Sequence, residues 1–154
     1  MGYLWVARGE LQVVSTDHCP FTAGEKLAEA DFSRIPGGIP SVEARLSLVH
    51  DAARQGRLSL NRWVEACCTA PARLFRLAGK GHIAAGYDAD LVIFDPETRL
   101  TLSAEELHER VDWSPYEGVS LSGWPRQVFS RGELIVREGE YLGECGRGRF
   151  VPAG

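Results

Sequence analysis

Long hydrophobic runs are missing from this 154-residue chain. No stretch approaches the ~18 consecutive apolar residues of a membrane-spanning helix, and the opening Met1-Gly2-Tyr3-Leu4-Trp5-Val6-Ala7-Arg8 has neither a basic leader nor a sustained apolar segment. No membrane partner and no export are therefore expected. Excess basic charge is also missing: 17 Lys and Arg face 21 Asp and Glu, for a formal net charge of −4. That balance cannot supply a broad phosphate-binding footprint, so nucleic acid is not an expected partner. Cysteine is sparse. The four present, Cys19, Cys67, Cys68 and Cys145, include no Cys-x-x-Cys pair, which excludes a disulfide framework and points to reduced thiols in a cytoplasmic protein. His18, His50, His82 and His108 form neither His-x-His nor His-Glu-x-x-His, so spacing alone completes no metal site. The length is short of the about 200–250 residues of a complete eight-stranded α/β barrel.

What is present is ordinary globular material, 44% hydrophobic and 25% charged, enough to bury one core. Glu10 to Asp17 is a short β-branched run that predicts a buried strand. From His18 to Pro40 the density of Pro and Gly predicts a long loop. Val42, Leu46, Val49 and Ala53 recur at helical spacing and predict a helix over Ser41–Gln55, stopped by Gly56. Ser59 can cap a second helix through Cys67, and Pro71 can open a third. Asp90 to Asp95 predicts a strand ended by Pro96, and Ser103 with Glu106 fits a capping box for a short helix to Val111. Gln127–Ser130 and Glu133–Val136, joined by Arg131-Gly132, predict a hairpin. The tail Gly143–Arg149 reads as a flexible, locally basic surface or subunit-contact segment.

Two clusters could carry chemistry. Thr16-Asp17-His18-Cys19-Pro20-Phe21 places a carboxylate and an imidazole at the exit of the first strand, where α/β folds present side chains to a ligand. Asp17 could bind a divalent metal or take a proton from metal-bound water; a capping Asp beside an exposed His satisfies the same residues. Ile35-Pro36-Gly37-Gly38-Ile39-Pro40-Ser41-Val42-Glu43 is a Gly-rich turn leading into a helix, whose close-approaching main chain and N-terminal amides could face a carbonyl or carboxylate. A simple tight turn satisfies that segment equally. The other histidines, His50, His82 and His108, suit solvated or singly hydrogen-bonded roles.

Read together, these segments resemble a known family. Thr16 to Phe21, Ile35 to Leu46, Pro71-Ala72-Arg73-Leu74-Phe75, Lys80-Gly81-His82-Ile83, Gly86-Tyr87-Asp88-Ala89-Asp90-Leu91-Val92-Ile93-Phe94-Asp95-Pro96 and Ser114-Pro115-Tyr116-Glu117-Gly118 occur in order. They look like the C-terminal third of a cyclic amidohydrolase of the hydantoinase and dihydropyrimidinase group, related to allantoinase and dihydroorotase. The Gly-x-Asp-Ala-Asp-Leu-Val run marks the wider superfamily; Asp-His-Cys-Pro-Phe and Ser-Pro-Tyr-Glu-Gly narrow it to the hydantoinase side. The resemblance implies an α/β fold class, a C-terminal fragment of a metal-dependent (β/α)8 barrel plus part of the associated small β-sandwich. Residues 1–78 would hold the last barrel strand, the active-site loop and the outer helices, and residues 79–154 the partial sandwich and tail.

The resemblance also implies a binuclear zinc centre built from a His-x-His pair, a carboxylated Lys, two further His and an Asp on the last strand. Only the Asp has a counterpart, Asp17. It would bind one metal and accept the proton of the bridging hydroxide as that attacks a cyclic amide or ureide carbonyl, leaving a ring-opened N-carbamoyl product. The family's loop often reads Ile-Pro-Asn-Gly. Gly37 stands here in the Asn place, so substrate contacts fall to the main chain of Gly37 and Gly38, and hydantoin, dihydropyrimidine and allantoin-like rings all stay open. One carboxylate cannot hold zinc in a three- or four-ligand geometry, so the implied enzyme is truncated and inactive alone. The alternatives are a non-catalytic assembly module that docks on itself, as a homo-oligomer, or on a longer relative through an unpaired strand edge, and a gene fragment of the family.

Overall fold

The computed structural model describes residues 2–154; Met1, with the expectation about where the chain starts, lies outside the described residues. The described residues begin with helix α1 (Gly2–Ala7), followed by a turn and an irregular segment to Asp17. Short helix α2 (Ala23–Leu27) and a 3-10 turn (Phe32–Arg34) follow, then α3 (Arg45–Arg54). Helices α4 (Leu60–Val64) and α5 (Ala70–Leu74) are joined without a break by a π segment, Glu65–Thr69. Four antiparallel strands complete the fold in the order β1 (Leu91–Thr101), β2 (Ser120–Ser130), β3 (Glu133–Arg137) and β4 (Glu140–Tyr141). No helix among the described residues is long and apolar enough to cross a membrane.

Helix α3 is the hinge of the packing. On one side Val49 and Ala52 meet Val6, Leu58, Ala66 and Cys67; on the other, Ala44 at its start packs with Leu102 and Leu121 of the sheet region. Burial on two sides explains why the covered face differs from the expected one. Val42 is exposed, whereas Ser47 and His50 are buried. His50 bonds the Ser122 carbonyl through Nδ1 at 3.0 Å and packs between Trp63 and Phe94 with ring centroids 4.9 and 4.6 Å away. It is a singly hydrogen-bonded histidine, one of the two roles expected of it, and it lies in the core.

Local rules placed several elements correctly. Ser59 accepts the Arg62 amide at 3.1 Å as the cap of α4, and Pro71 opens α5. The π segment ahead of it, with Ala70 N–H reaching the Glu65 carbonyl, gives the proline ring room to join the helix, so two predicted helices become one. The hairpin forms where expected, with Val128 opposite Val136.

Other expectations fail for tertiary reasons. Residues 12–17 belong to no sheet, because a strand requires a continuous ladder and they have only scattered bonds, Val14 N–H to the Ala66 carbonyl and Ile39 N–H to the Asp17 carbonyl. The predicted loop 18–40 contains α2, started by a capping box between Thr22 and Glu25. Residues 103–111 form turns, not a helix: Glu117 takes the Ala104 amide at 2.9 Å, and Ser103 receives Glu106 N–H only through its carbonyl. β1 continues through Pro96, since an edge strand with an irregularity between Asp95 and Arg99 tolerates a missing donor. β2 starts well before Gln127, its Gly123 leaving room for His50 and Phe94, whose nearest atoms lie 2.4 and 2.7 Å from where a Cβ would stand. The tail folds back: Arg147 donates to the Ser130 carbonyl at 2.8 Å and pairs with Glu133.

Candidate functional site

The two clusters singled out by sequence lie side by side. Ile39 N–H donates to the Asp17 carbonyl at 3.3 Å, and Cys19 N–H to the Ile39 carbonyl at 3.2 Å, a parallel bridge between His18 and Ile39. The main chain of Asp17–Cys19 is thereby set beside Gly38-Ile39. Gly38 stands at φ 97, and a Cβ there would lie 2.4 Å from Cys19 Cβ and 2.8 Å from the Cys19 carbonyl oxygen. The close approach of the two chains therefore demands glycine at 38. Gly37 is open: no atom lies within 4 Å of where its Cβ would stand. The N–H groups of Gly37 and Gly38 have no backbone partner among the described residues.

Asp17 is exposed and sits in the left-handed region at φ 52, which a non-glycine residue adopts only where its surroundings impose it. Its neighbours supply that constraint. Ser41 Oγ donates to the Thr16 carbonyl at 2.9 Å, and the Thr16 hydroxyl accepts His18 N–H at 3.3 Å. His18 Nδ1 receives the amides of Ser41 at 3.1 Å and Val42 at 3.3 Å.

The amides that lead into α3 are therefore not available to a ligand, contrary to the sequence expectation. Those of Ser41 and Val42 go to His18, and that of Glu43 goes to Glu109 Oε1 at 3.2 Å. Beyond them Glu43 receives both the backbone N–H of His108, at 2.7 Å, and its Nδ1, at 2.8 Å. Nothing in the local sequence marks Glu109 as the acceptor of the Glu43 amide; the signal is purely tertiary. His82 lies apart, edge-on to Tyr87 at 5.4 Å between ring centroids.

Cys67 is buried, which pushes its thiol up to about 11; Cys68 is exposed, yet partial desolvation by its neighbours raises its thiol as well. In both, the neutral thiol is favoured at neutral pH. Lys26 reaches the Pro36 carbonyl at 2.7 Å and lies over the Phe21 and Trp113 rings, closing the outer side of the 18–40 loop. No group of three or more His, Cys, Asp or Glu among the described residues is placed to hold a metal ion. With His18 Nδ1 committed to two amides, Asp17 is left as a solitary oxygen donor, and these residues by themselves do not fit a zinc centre.

The amidohydrolase family model matches residues 5–135, and the chain belongs to that family. It is similar to the D-hydantoinase of Streptomyces coelicolor, 49% identical over 154 residues that cover 97% of this chain and 33% of that protein. It is 43% identical to the D-hydantoinase of Geobacillus stearothermophilus, again over 33% of that protein's length. Among solved structures, a D-hydantoinase (dihydropyrimidinase) from Thermus sp. superposes with a TM-score of 0.94 at 40% identity, covering 98% of this chain and 34% of that one. The L-hydantoinase (dihydropyrimidinase) of Arthrobacter aurescens reaches 0.86 at 31% identity. The fold is thus that of a portion of a hydantoinase, an α/β unit with a partial sheet, and the chain spans about a third of the length of the curated relatives it matches.

Proposed function

We propose that this chain contributes the Asp17-bearing part of a hydantoinase-like active site for opening cyclic amides, and that residues outside these 154 complete it. In that reaction a water oxygen adds to a ring carbonyl carbon, the ring C–N bond breaks, and the departing nitrogen takes up a proton, leaving an N-carbamoyl product. The observation that carries the proposal is the main-chain pairing that sets the segment of exposed Asp17 beside the turn in which Gly37 is open. Asp17 is the metal ligand and proton acceptor of this reading. The two glycine amides are donors of the right kind to orient a ring carbonyl. In this reading residues 1–78 carry the loop and its helices, and 79–154 form the sheet that backs them.

Zinc needs at least three protein ligands to generate hydroxide at neutral pH, and this chain offers one. The chain alone is therefore inactive, even with zinc added. The test is a chimera in which this chain replaces the matching third of the Streptomyces coelicolor D-hydantoinase. The chimera is expected to open hydantoin or dihydrouracil, and Asp17→Asn within it to lower the rate by about 10²–10⁴-fold, the range for losing a general base. Undiminished turnover in the Asp17→Asn chimera would refute the assignment, as would enzyme-like rates from the isolated chain with zinc.

One observation favours an assembly role as a second reading. Val14 donates to the Ala66 carbonyl at 3.3 Å and accepts from Arg45 at 2.8 Å, while the backbone groups of Val13 and Ser15 meet no partner among the described residues. Alternate open groups along an extended segment form an edge that another chain can extend. Light scattering that finds a stable monomer at all concentrations would argue against it.

A further inference from the structure

We infer that His18 is the positioning residue for Asp17, acting as a hydrogen-bond acceptor through Nδ1 and not as an ionic partner of Glu109. Two backbone donors converge on that nitrogen, Ser41 N–H at 3.1 Å and Val42 N–H at 3.3 Å. A nitrogen that receives two N–H groups presents its lone pair, so the single proton of the neutral ring sits on Nε2. Glu109 Oε1 is 3.7 Å from the same nitrogen, beyond hydrogen-bond length, and is already occupied by Glu43 N–H at 3.2 Å. Histidine and glutamate thus divide three successive amides between them, and together they fix the turn that leads into α3.

The consequence falls on Asp17. The chain on its N-terminal side is tied to that turn by the Ser41 hydroxyl on the Thr16 carbonyl at 2.9 Å. On its C-terminal side the tie is the His18 imidazole. The Asp17 carbonyl is held by Ile39 N–H at 3.3 Å. The strained φ of 52 at Asp17 is thereby clamped from both flanks, and the carboxylate need not take part in holding itself. This role is distinct from ligand binding: it concerns where Asp17 is held, and only its catalytic consequence rests on the function proposed above.

An asparagine offers Oδ1 near the place of Nδ1, so His18→Asn keeps the acceptor and His18→Ala removes it. The experiment is NMR on the isotope-labelled 154-residue chain. Expected are nitrogen–nitrogen couplings across the hydrogen bonds from the Ser41 and Val42 amides to His18 Nδ1, with the ring proton on Nε2. Hydrogen exchange at those two amides should quicken by about tenfold in His18→Ala and stay within about threefold in His18→Asn, the scale of losing and keeping a net hydrogen bond. The HN–Hα coupling of Asp17, which reports φ, should be kept in His18→Asn and move in His18→Ala. A ring protonated on Nδ1, or unchanged exchange in His18→Ala, would overturn the inference. If His18→Ala does not fold, the couplings in the unsubstituted chain decide alone, their presence supporting the inference and their absence overturning it. None of these readouts uses turnover, so failure of the hydantoinase reading in the chimera leaves the result for His18 standing, and the reverse also holds.

Discussion

Gly38→Ala tests whether the close approach of the two site segments is what holds the site together. The new methyl carbon would stand 2.4 Å from Cys19 Cβ and 2.8 Å from the Cys19 carbonyl oxygen, at a backbone φ of 97. Cys19 cannot simply step aside, because its N–H is bonded to Ile39. The strain of an L-residue at such a φ costs about 1–3 kcal/mol, and forcing extra volume into a closed contact costs about 1–3 kcal/mol more. The expected loss of roughly 2–6 kcal/mol is a large share of the ~5–15 kcal/mol by which a domain is stable. Gly37→Ala is the control next door. Its Cβ meets nothing within 4 Å and its φ is not in the left-handed range, so its effect should be neutral or stabilising by about 0.4–1 kcal/mol through the unfolded chain. Urea unfolding followed by tryptophan fluorescence separates the two, since Trp113 bonds the Phe21 carbonyl beside this loop. Equal stability for the two variants, or Gly38→Ala within about 0.5 kcal/mol of the unsubstituted chain, would refute the packing argument.

Three further outcomes are expected. The Ser47 hydroxyl is buried without a partner among the described residues, so Ser47→Ala should raise the urea midpoint, by roughly 1 kcal/mol of stability; a lowered midpoint would mean that the hydroxyl is bonded. Burial alone would raise the Asp90 carboxyl, but hydrogen bonds from Lys80 and from the Arg131 amide outweigh it and hold the group below its ordinary 3.8. A depressed carboxyl stabilises above its unfolded pKa and loses that contribution as pH falls through the folded value. Asp90→Asn should therefore trail the unsubstituted chain by a constant margin over about pH 5–8 and converge with it below about pH 4; a margin unchanged at acid pH would contradict the pairing. At pH near 8 only about one in 10³ Cys67 thiols is ionised, since burial pushes it up to about 11, whereas Cys19 and Cys145 are exposed. Alkylation of the native chain, mapped by mass spectrometry, should reach those two before Cys67, and equal labelling of Cys67 would contradict its burial.

Much of the chain was legible where the deciding interaction lies within a few residues. The Ser59 cap, the proline at the start of α5 and the hairpin closed by Arg131-Gly132 are of this kind. Residues 103–111 carried an equally good local signal and still formed no helix, because Glu117 takes the Ala104 amide. The early part of β2 carried no strand expectation, yet Gly123 and Pro125 sit in the strand, where pairing with β1 and its irregularities absorb them.

The same division runs through the site. Amino-acid order by itself determined that Asp17 and the Gly37-Gly38 turn are the chemical candidates, that the thiols are unpaired, and that the chain carries the motifs of one part of a hydantoinase-like protein. Tertiary structure alone decided that the two segments pair through His18 and Ile39, that His18 and Glu109 consume the amides leading into α3, and that residues 12–17 join no ladder. The reason is physical: caps and tight turns are closed by neighbours in sequence, whereas a strand ladder or a shared amide needs a partner that the chain brings close only by folding.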